Sequence, residues 1–354
     1  MRKGMNCLLG KTLEELQAIA MEVGLPKFTG KQLAEWIYIR RATTLDEMTN
    51  ISLKGREALK EKYTIGRHAP IAEAVSKDGT KKYLFKVTKG DTTISGNYIE
   101  SVYIPDDDRA TLCVSTQAGC KMGCKFCMTG TLGFHSHLSA AEILNQIFSI
   151  PDTDKLTNIV YMGEGEPMDN LDNVLRSLHV MTSRWGCGWS PKRITVSSVG
   201  ITKGIKRYIE ECDCHLAISL HNPFAIERQE VMPIEKAQRL NDVIALLKQY
   251  DWSHQRRVSF EYICWGGIND TPKHANELLR LLKGIDCRIN LIRFHASPTQ
   301  SAVSTIQYPT SNEQQMEWLR DYLTERGITT TIRRSRGEDI LAACGMLVNA
   351  LKEG

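Results

Sequence analysis

Three cysteines close together are the strongest chemical signal in this 354-residue sequence. They lie in the segment TQAGCKMGCKFCMTG as Cys120, Cys124 and Cys127, a C-x3-C-x2-C spacing. Cysteine thiolates bind zinc or iron–sulfur clusters, and three ligands are one fewer than a closed four-ligand site needs. The spacing therefore predicts a metal centre with one position open to another molecule.

Zinc and an iron–sulfur cluster are the two candidates for this centre. A structural zinc site uses four ligands, commonly as two C-x2-C pairs, and this sequence has one such pair. His135 and His137 could complete a Cys3His site, although their spacing differs from that of common zinc motifs. Because a cluster on three thiolates leaves one iron able to bind and reduce a second molecule, we favour iron–sulfur and keep zinc as the alternative.

The elements that must position these cysteines alternate between strands and helices. Seven β-rich runs follow residue 110: TLCVST, NIVYM, RITVSS, HLAISL, VSFEYI, INLIRF and TTTIR. Amphipathic stretches separate them, as in the repeated βα units that build a parallel sheet, and the runs are apolar on both faces. The pattern does not separate an open sheet from a barrel, but ligands gather at the carboxyl ends of the strands in both.

The N-terminal part of the chain has a different pattern. It reads as helices, with Thr12 as the N-cap of the first helix and Gly24 as its stop. KKYLFKV and NYIESVYIP, separated by a turn-rich stretch, predict a small antiparallel sheet. We therefore expect an N-terminal helical domain at residues 1–70, a β extension at 71–105 and a catalytic unit at 106–354.

Composition and charge limit the class of protein. Hydrophobic residues make up 42% and charged residues 24%, and no apolar run reaches the roughly 18 residues of a membrane span. Without a signal peptide, eleven cysteines indicate metal ligands or reactive thiols in the cytosol rather than a disulfide framework. Residues 1–70 hold 12 Lys and Arg against 8 Asp and Glu, which fits either a phosphate-contacting face or a solvated helical surface.

The cysteine loop after the first strand of the βα series, with Phe126 before its last cysteine, resembles the motif of the radical S-adenosylmethionine (SAM) superfamily. The resemblance implies an α/β fold with a partial (βα)6-type radical SAM barrel. It implies a 4Fe-4S cluster on the three loop cysteines, whose open iron binds S-adenosyl-L-methionine for reductive cleavage. Gly165-Glu166 in GEGEP, after NIVYM, is similar to the segment that holds the SAM amine in that superfamily.

Further SAM contacts are expected at later strand ends, because hydroxyl and imidazole groups suit ribose and adenine. The candidates are Ser197 in ITVSSVG, Ser219, Leu220 and His221 in AISLHNP, and His295 in LIRFHAS. Taken singly, a polar side chain at such a place could instead cap a nearby backbone group.

Two cysteines outside the loop, Cys113 and Cys344, narrow the resemblance. With ESVYIPDDDRATLCVS, SLHNP and IRRSRGEDILAACG, they make residues 95–348 similar to the RlmN/Cfr family of radical SAM RNA methyltransferases. The resemblance implies that Cys344 carries the methyl group as S-methylcysteine and that a radical made from it adds to an adenine carbon. It further implies that Glu100 removes a proton from the adduct. Cys113 then attacks the sulfur of Cys344, and the resulting disulfide releases the product.

Two family types differ in the carbon that they methylate. RlmN-type members modify carbon 2 of adenine in 23S rRNA and at position 37 of tRNA, whereas Cfr-type members modify carbon 8. Pro167 resembles the RlmN-type pattern, so we expect carbon 2 and keep carbon 8 as an alternative. Two residues depart from the family: Glu164 replaces a methionine, a carboxylate that would have to point away from the SAM amine, and His295 replaces a common asparagine.

The resemblance also implies partners. These are 23S rRNA and tRNA, and an electron donor such as flavodoxin or ferredoxin; we expect a cytoplasmic monomer that does not bind membranes. Basic side chains of the N-terminal helices would contact RNA phosphates: Lys27, Lys31, Arg40, Arg41, Lys54 and Arg56. Two other classes stay open, a non-catalytic zinc-bearing RNA-binding protein and a radical SAM enzyme for a small molecule, and the second leaves Cys113 and Cys344 without a role.

Overall fold

Fourteen strands are present in the computed structural model, which describes residues 6–89, 92–252, 258–294 and 308–347. In chain order they are β1 (Asn6–Cys7), β2 (Tyr63–Thr64), β3 (Ala72–Val75), β4 (Lys81–Lys89), β5 (Thr92–Asp106), β6 (Arg109–Cys113), β7 (Gln117–Gly119), β8 (Phe134–His137), β9 (Asn158–Tyr161), β10 (Ile194–Ser198), β11 (His215–Ser219), β12 (Val258–Cys264), β13 (Cys287–Arg293) and β14 (Thr329–Arg333). All seven predicted βα strands are therefore confirmed.

Eleven α-helices lie in the described ranges. They are α1 (Leu13–Glu22), α2 (Thr29–Ala34), α3 (Leu53–Lys60), α4 (Met128–Thr131), α5 (Ala140–Phe148), α6 (Leu171–Thr182), α7 (Thr202–Glu211), α8 (Ala225–Val231), α9 (Leu240–Leu247), α10 (Pro272–Leu282) and α11 (Glu313–Glu325). Taken over this part of the chain, no helix has both the length and the apolar character needed to cross a membrane.

Ten of the strands form one open sheet in the order β14-β13-β12-β11-β10-β9-β6-β5-β4-β3. Neighbours from β6 to β14 are parallel, and β6, β5, β4 and β3 pair antiparallel. The predicted antiparallel strands are therefore present, and they continue the parallel sheet through β5. The α/β architecture with a partial barrel is confirmed, and the carboxyl ends of seven parallel strands share one edge.

Local sequence sets the helix starts that precede these strands. Thr12 caps α1 in a capping box with Glu15, and Ser139 caps α5 in the same way with Glu142. Such a box satisfies two backbone N–H groups that have no partner within the helix. Thr12 and Gly24 thus bound the first helix as predicted, and Gly24 takes a φ of 77°.

Two local features differ from the sequence expectation. The pattern KQLAEWIYIRR predicted one helix, but α2 ends at Ala34 and a π-helical turn occupies Glu35–Ile39. The turn lets the neighbours Ile37 and Tyr38 both be buried, and the Tyr38 hydroxyl donates to the carbonyl of Lys11 at 2.5 Å. Helix α8 was not predicted, because a seven-residue helix has too little periodicity to stand out.

One main apolar core joins the N-terminal helices to the sheet. It includes Leu16 and Leu33 from the helices, Phe85 from β4 and Leu112 from β6. The three units predicted at residues 1–70, 71–105 and 106–354 thus contribute to the same core. Burial of this apolar surface is the main stabilising term for the fold and holds the strand ends in fixed positions.

Candidate functional site

A cavity of about 930 Å³, measured with its open mouth, lies at the carboxyl ends of the parallel strands. Nine of the residues predicted from sequence line it: Cys120, Cys124, Cys127, Gly165, Glu166, Ser197, Ser219, His221 and Cys344. We call it the cluster cavity. Residues separated by more than 200 positions in the chain meet here because the βα topology brings every strand end to one edge.

The backbone of the cysteine loop is fixed at several points. The N–H of Cys120 donates to the carbonyl of Gly133 at 2.8 Å, and the N–H of Lys125 donates to the carbonyl of Val231 at 2.9 Å. Gly119 precedes the loop with a φ of 73°, and a Cβ there would lie 1.9 Å from the Gly133 oxygen. Only glycine fits this approach, so the loop is held with its three thiols toward the cavity.

The three thiols need a metal to lose their protons. Burial raises the pKa of Cys120 to about 12, raises that of Cys127, and raises that of Cys124 well above its usual value. A bound iron ion favours the thiolate and displaces these protons. The donor set is therefore chemically suited to an iron–sulfur cluster, for which cysteine thiolates are the normal ligands.

The zinc alternative finds no support in the donor arrangement. His135 and His137 are exposed and lie outside the lining of the cluster cavity. Across the described residues, no three His, Cys, Asp or Glu side chains converge where they would hold a single metal ion. A four-iron cluster does not need three side chains to converge on one ion, because each cysteine binds a different iron of the cluster.

Glu166 presents a prepared carboxylate to the cluster cavity. Its oxygens accept from the N–H groups of Met168 at 3.0 Å and Val199 at 2.9 Å, and its own N–H donates to the side chain of Gln117. Burial raises the pKa of Glu166 to about 7, although these hydrogen bonds oppose the rise. Each oxygen keeps a lone pair for a cationic or amine ligand. Gly165 has a φ of 95°, and a Cβ there would meet Gln117 at 2.5 Å.

His221 lies between the strand ends and the cysteine loop. Its Nδ1 accepts from the N–H of Ile263 at 3.1 Å, and its ring meets the edge of Phe126 with centroids 4.7 Å apart. Burial lowers the pKa of His221 to about 3, with the Arg228 guanidinium adding to the effect. The imidazole is thus neutral, and the hydrogen bond at Nδ1 leaves Nε2–H as the available donor.

The remaining predicted SAM contacts divide into two groups. Ser197 and Ser219 are half-buried and line the cluster cavity. Leu220 is fully buried in the core, does not line the cavity, and its carbonyl accepts from Arg228 Nε at 3.0 Å. His295 lies outside the described residues.

A second cavity, of about 820 Å³, adjoins the first. We call it the arginine cavity, because four arginines line it: Arg293, Arg333, Arg334 and Arg336. Cys113 lies in its wall, and Val102 and Ile104 from β5 give it an apolar side. Cys344 and Arg333 line both cavities, so Cys344 stands at their common boundary.

Cys113 and Cys344 are both free thiols in the structure, so the predicted disulfide between them is absent. Desolvation raises the pKa of Cys113 to about 12 and that of Cys344 to about 11, and Arg333 opposes both shifts. The Arg333 guanidinium contacts the Glu261 carboxylate at 3.4 Å. A thiolate formed at either cysteine would therefore have the partly exposed Arg333 cation to stabilise it.

Glu100, the predicted base, is not among the residues that line either cavity. It is fully buried and forms an ion pair with Lys82 at 3.0 Å. The Glu164 carboxylate accepts from the N–H of Glu100 at 2.8 Å and from the N–H of Gly119 at 3.4 Å. Glu164 thus turns away from the SAM-amine position, but into the protein rather than toward solvent.

Three charged groups at the site escaped the sequence reasoning. Lys82 sits in the β-rich run KKYLFKV and is buried, although lysine there normally faces solvent. Arg228 of the unpredicted helix α8 donates to the carbonyl of Val199, just after β10, and to that of Ser219, at the end of β11; it also pairs with buried Glu235. Arg333 ends β14, so the rule that parallel strand ends build the site would have identified it.

Comparison with known proteins agrees with this geometry. Residues 6–65 match the ribosomal RNA large subunit methyltransferase N-terminal domain (RlmN_N), and residues 114–282 match the radical SAM superfamily. A radical SAM methyltransferase from Sphaerobacter thermophilus has the same fold, with a TM-score of 0.87 and 34% identity over 97% of this chain and 99% of that one.

Relatives that align with nearly the whole chain identify its family more specifically than the two domain matches do. A probable dual-specificity RNA methyltransferase RlmN from Bacteroides fragilis is 56% identical over 98% of this chain and 97% of its own. A dual-specificity RNA methyltransferase RlmN from Bradyrhizobium is 39% identical over 96% of this chain and 87% of its own. The matched superfamily carries the 4Fe-4S cluster and SAM. The cluster cavity contains three thiols and a carboxylate that would suit these two groups. The chain therefore belongs to the RlmN family of radical SAM methyltransferases.

Proposed function

We propose that this protein methylates carbon 2 of adenine in 23S rRNA and at position 37 of tRNA. The observation that carries the proposal is the position of Cys344 on the boundary between the cluster cavity and the arginine cavity. A sulfur that receives a methyl group from SAM and delivers it to RNA must reach both ligands. Two findings support RNA as the substrate class. Residues 6–65 match the N-terminal domain of ribosomal RNA methyltransferases, and full-length relatives are named dual-specificity RNA methyltransferases.

The chain's own residues divide the work. When bound, the cluster and SAM supply the methyl group and a carbon-centred radical. Cys344 carries the methyl group, and Glu100 accepts the proton that leaves the modified adenine carbon. Cys113 attacks the sulfur of Cys344 as a thiolate, so that an S–S bond forms as the C–S bond to the product breaks, and the released carbon takes up a proton. A dithiol reductant of the cell then supplies two electrons to that disulfide and returns both thiols to the state found in the structure.

The arginine cavity is the proposed entrance for RNA. A target base must leave its stack to reach a sulfur that lines a cavity, and the apolar wall at Val102 and Ile104 suits a flat base. Arg334 is exposed at the mouth, where it suits a flanking phosphate. The domain at residues 1–70 would hold a more distant part of the RNA, and the extension at 71–105 supplies Glu100.

The methylated carbon, the electron donor, the oligomeric state and the cellular location are proposed from the resemblance to the RlmN family. Carbon 2 is preferred to carbon 8 because Pro167 matches the RlmN-type segment and the full-length relatives bear the RlmN name. An electron donor such as flavodoxin or ferredoxin, a monomeric state and a cytoplasmic location complete the proposal. Each can be tested separately from the methylation itself.

The two cysteines outside the loop provide the direct test. Cys344→Ala should abolish RNA methylation and leave the iron content unchanged, because the loop cysteines are intact. Cys113→Ala should accumulate a covalent protein–RNA adduct on a denaturing gel, because nothing then cleaves the bond to Cys344. Cys214→Ala, a buried thiol at the other end of the sheet, serves as the matched control. Continued RNA methylation by the Cys344 variant would overturn the proposal.

A further inference from the structure

Lys82 is a buried charge that the proposed reaction leaves unused. Its side chain is 1% exposed, and lysine is almost never buried to this extent without a partner. The partner is the Glu100 carboxylate at 3.0 Å. Lys82 is opposite Val102 and Glu100 is opposite Leu84 in the β4–β5 register, so the two side chains are diagonal neighbours on one face.

The same ammonium also contacts the segment that carries Cys344. Lys82 Nζ donates to the carbonyl of Leu341 at 3.3 Å, three residues before the cysteine. Leu341 has a φ of 54°, in the left-handed region, which turns the chain at this point. Lys82 thus bridges the predicted base and the methyl-carrying segment.

The segment has a second attachment to the same part of the sheet. The Ser76 hydroxyl donates to the Asp339 carboxylate at 2.5 Å, and the N–H of Gly337 donates to Asp78 at 2.9 Å. Both partners lie in the turn between β3 and β4, a few residues before Lys82. The antiparallel strands therefore hold the Cys344 segment at its N-terminal side.

The charges around Glu100 explain why a cation is needed there. The Glu164 carboxylate, from the loop after β9, approaches the Glu100 backbone at 2.8 Å and brings a second negative charge. From β4 comes the positive charge of Lys82, and the Ser115 hydroxyl donates to the Glu100 carbonyl at 2.6 Å. A fully buried carboxylate is costly unless paired, so Lys82 stabilises the ionised form of Glu100.

We propose that Lys82 is a positioning residue for methyl transfer, which keeps Glu100 ionised to accept the adenine proton and orders the segment that carries Cys344. This inference rests on the proposed function. Lys82 itself neither gives nor takes a proton in the reaction. Its effect passes through the Glu100 carboxylate, which it contacts at 3.0 Å in a place closed to solvent.

The test measures how fast the covalent protein–RNA adduct resolves, in a single turnover by cluster-loaded enzyme followed on a denaturing gel across a range of pH. Lys82→Met should slow adduct resolution at neutral pH by about tenfold or more, because the buried Glu100 carboxylate loses its cationic partner. Raising the pH should restore the rate. Glu100→Gln should be slow at every pH.

Two further variants separate this role from a structural one. Lys82→Arg keeps the charge and should keep the wild-type pH profile. Lys81→Met removes the adjacent lysine, which pairs with Asp152 at 2.7 Å, and should not shift the profile. A Lys82→Met enzyme that resolves the adduct normally, or is slowed equally at all pH values, overturns the inference. Failure of the wild-type enzyme to form any adduct would instead contradict the proposed function.

Discussion

The cluster cavity and the arginine cavity share Cys344 but are built in different ways. The cluster cavity takes its reactive groups from short motifs, the cysteine loop and GEGEP, which backbone hydrogen bonds hold in place. The arginine cavity joins residues from β5 and β6 to others more than 170 positions away in β13, β14 and the segment after it. The reactive groups of the cluster cavity thus come from local motifs that the fold brings together, whereas the lining of the arginine cavity contains no such motif.

The difference is consistent with the two tasks. A cofactor common to a superfamily can be bound by a transferable motif, whereas an RNA substrate particular to one family needs a surface of its own. The arginine cavity, the surface proposed above for RNA, is charged: Arg336 pairs with Asp106 at 3.0 Å and Arg333 contacts Glu261. Charged contacts of this kind suit a polyanion that must bind and leave.

The largest expected effect tests the cluster cavity alone. Cys124→Ala removes a thiol that lies in the lining and should reduce iron, sulfide and SAM cleavage to undetectable levels, because two thiolates leave a second iron without protein support. Iron and sulfide analysis after anaerobic purification measures this. Cys287→Ala, a buried thiol at the start of β13, should retain the cluster. A Cys124 variant with a full cluster would show that the loop is not the cluster site.

An intermediate effect concerns pH and the carboxylate of the cluster cavity. The pKa of Glu166 is raised to about 7 by burial, so the group is mainly ionised at pH 8 and mainly protonated at pH 6. Because only the carboxylate can accept from the SAM amine with both oxygens, SAM affinity should fall by about tenfold between these values. Equilibrium binding to cluster-loaded protein measures the change. Glu166→Gln should make SAM affinity nearly independent of pH. If affinity changes with pH equally in the variant and the wild-type protein, Glu166 is not the group responsible.

The smallest effect tests the arginine cavity. Arg334→Gln should weaken RNA binding by about threefold and lower the slope of log affinity against log salt by about one, as loss of one phosphate contact predicts. SAM cleavage without RNA should be unchanged. Arg326→Gln is the matched control, since Arg326 is exposed after α11 and lines neither cavity. An unchanged salt slope would mean that RNA does not approach through this cavity.

Much of the fold was predictable because its signals are local. The seven parallel strands appear as short β-rich runs, and capping boxes at Thr12 and Ser139 mark helix starts. The loop cysteines, Glu166, Ser197, Ser219 and His221 were predicted from motifs at strand ends, and all of them line one cavity. Their individual roles in binding stay predictions.

Other features had no local signal. Lys82 looks like any lysine in a strand until the β4–β5 register places it against Glu100. From the sequence, the Glu164 carboxylate was expected near the SAM amine. It instead accepts backbone N–H groups of β5 and of β7, the strand before the cysteine loop. Leu220, predicted beside SAM from its place in SLHNP, is instead fully buried.

The sequence by itself determined the chemistry, because the types and spacing of Cys120, Cys124 and Cys127 suffice to specify a three-thiol centre. Only the tertiary structure decided where that chemistry meets a substrate. Cys113 and Cys344, 231 positions apart in the chain, line the same arginine cavity because β6 and the C-terminal segment meet at one sheet edge. Burial and long-range pairing set the charges beside them, and neither can be read from a single run of residues.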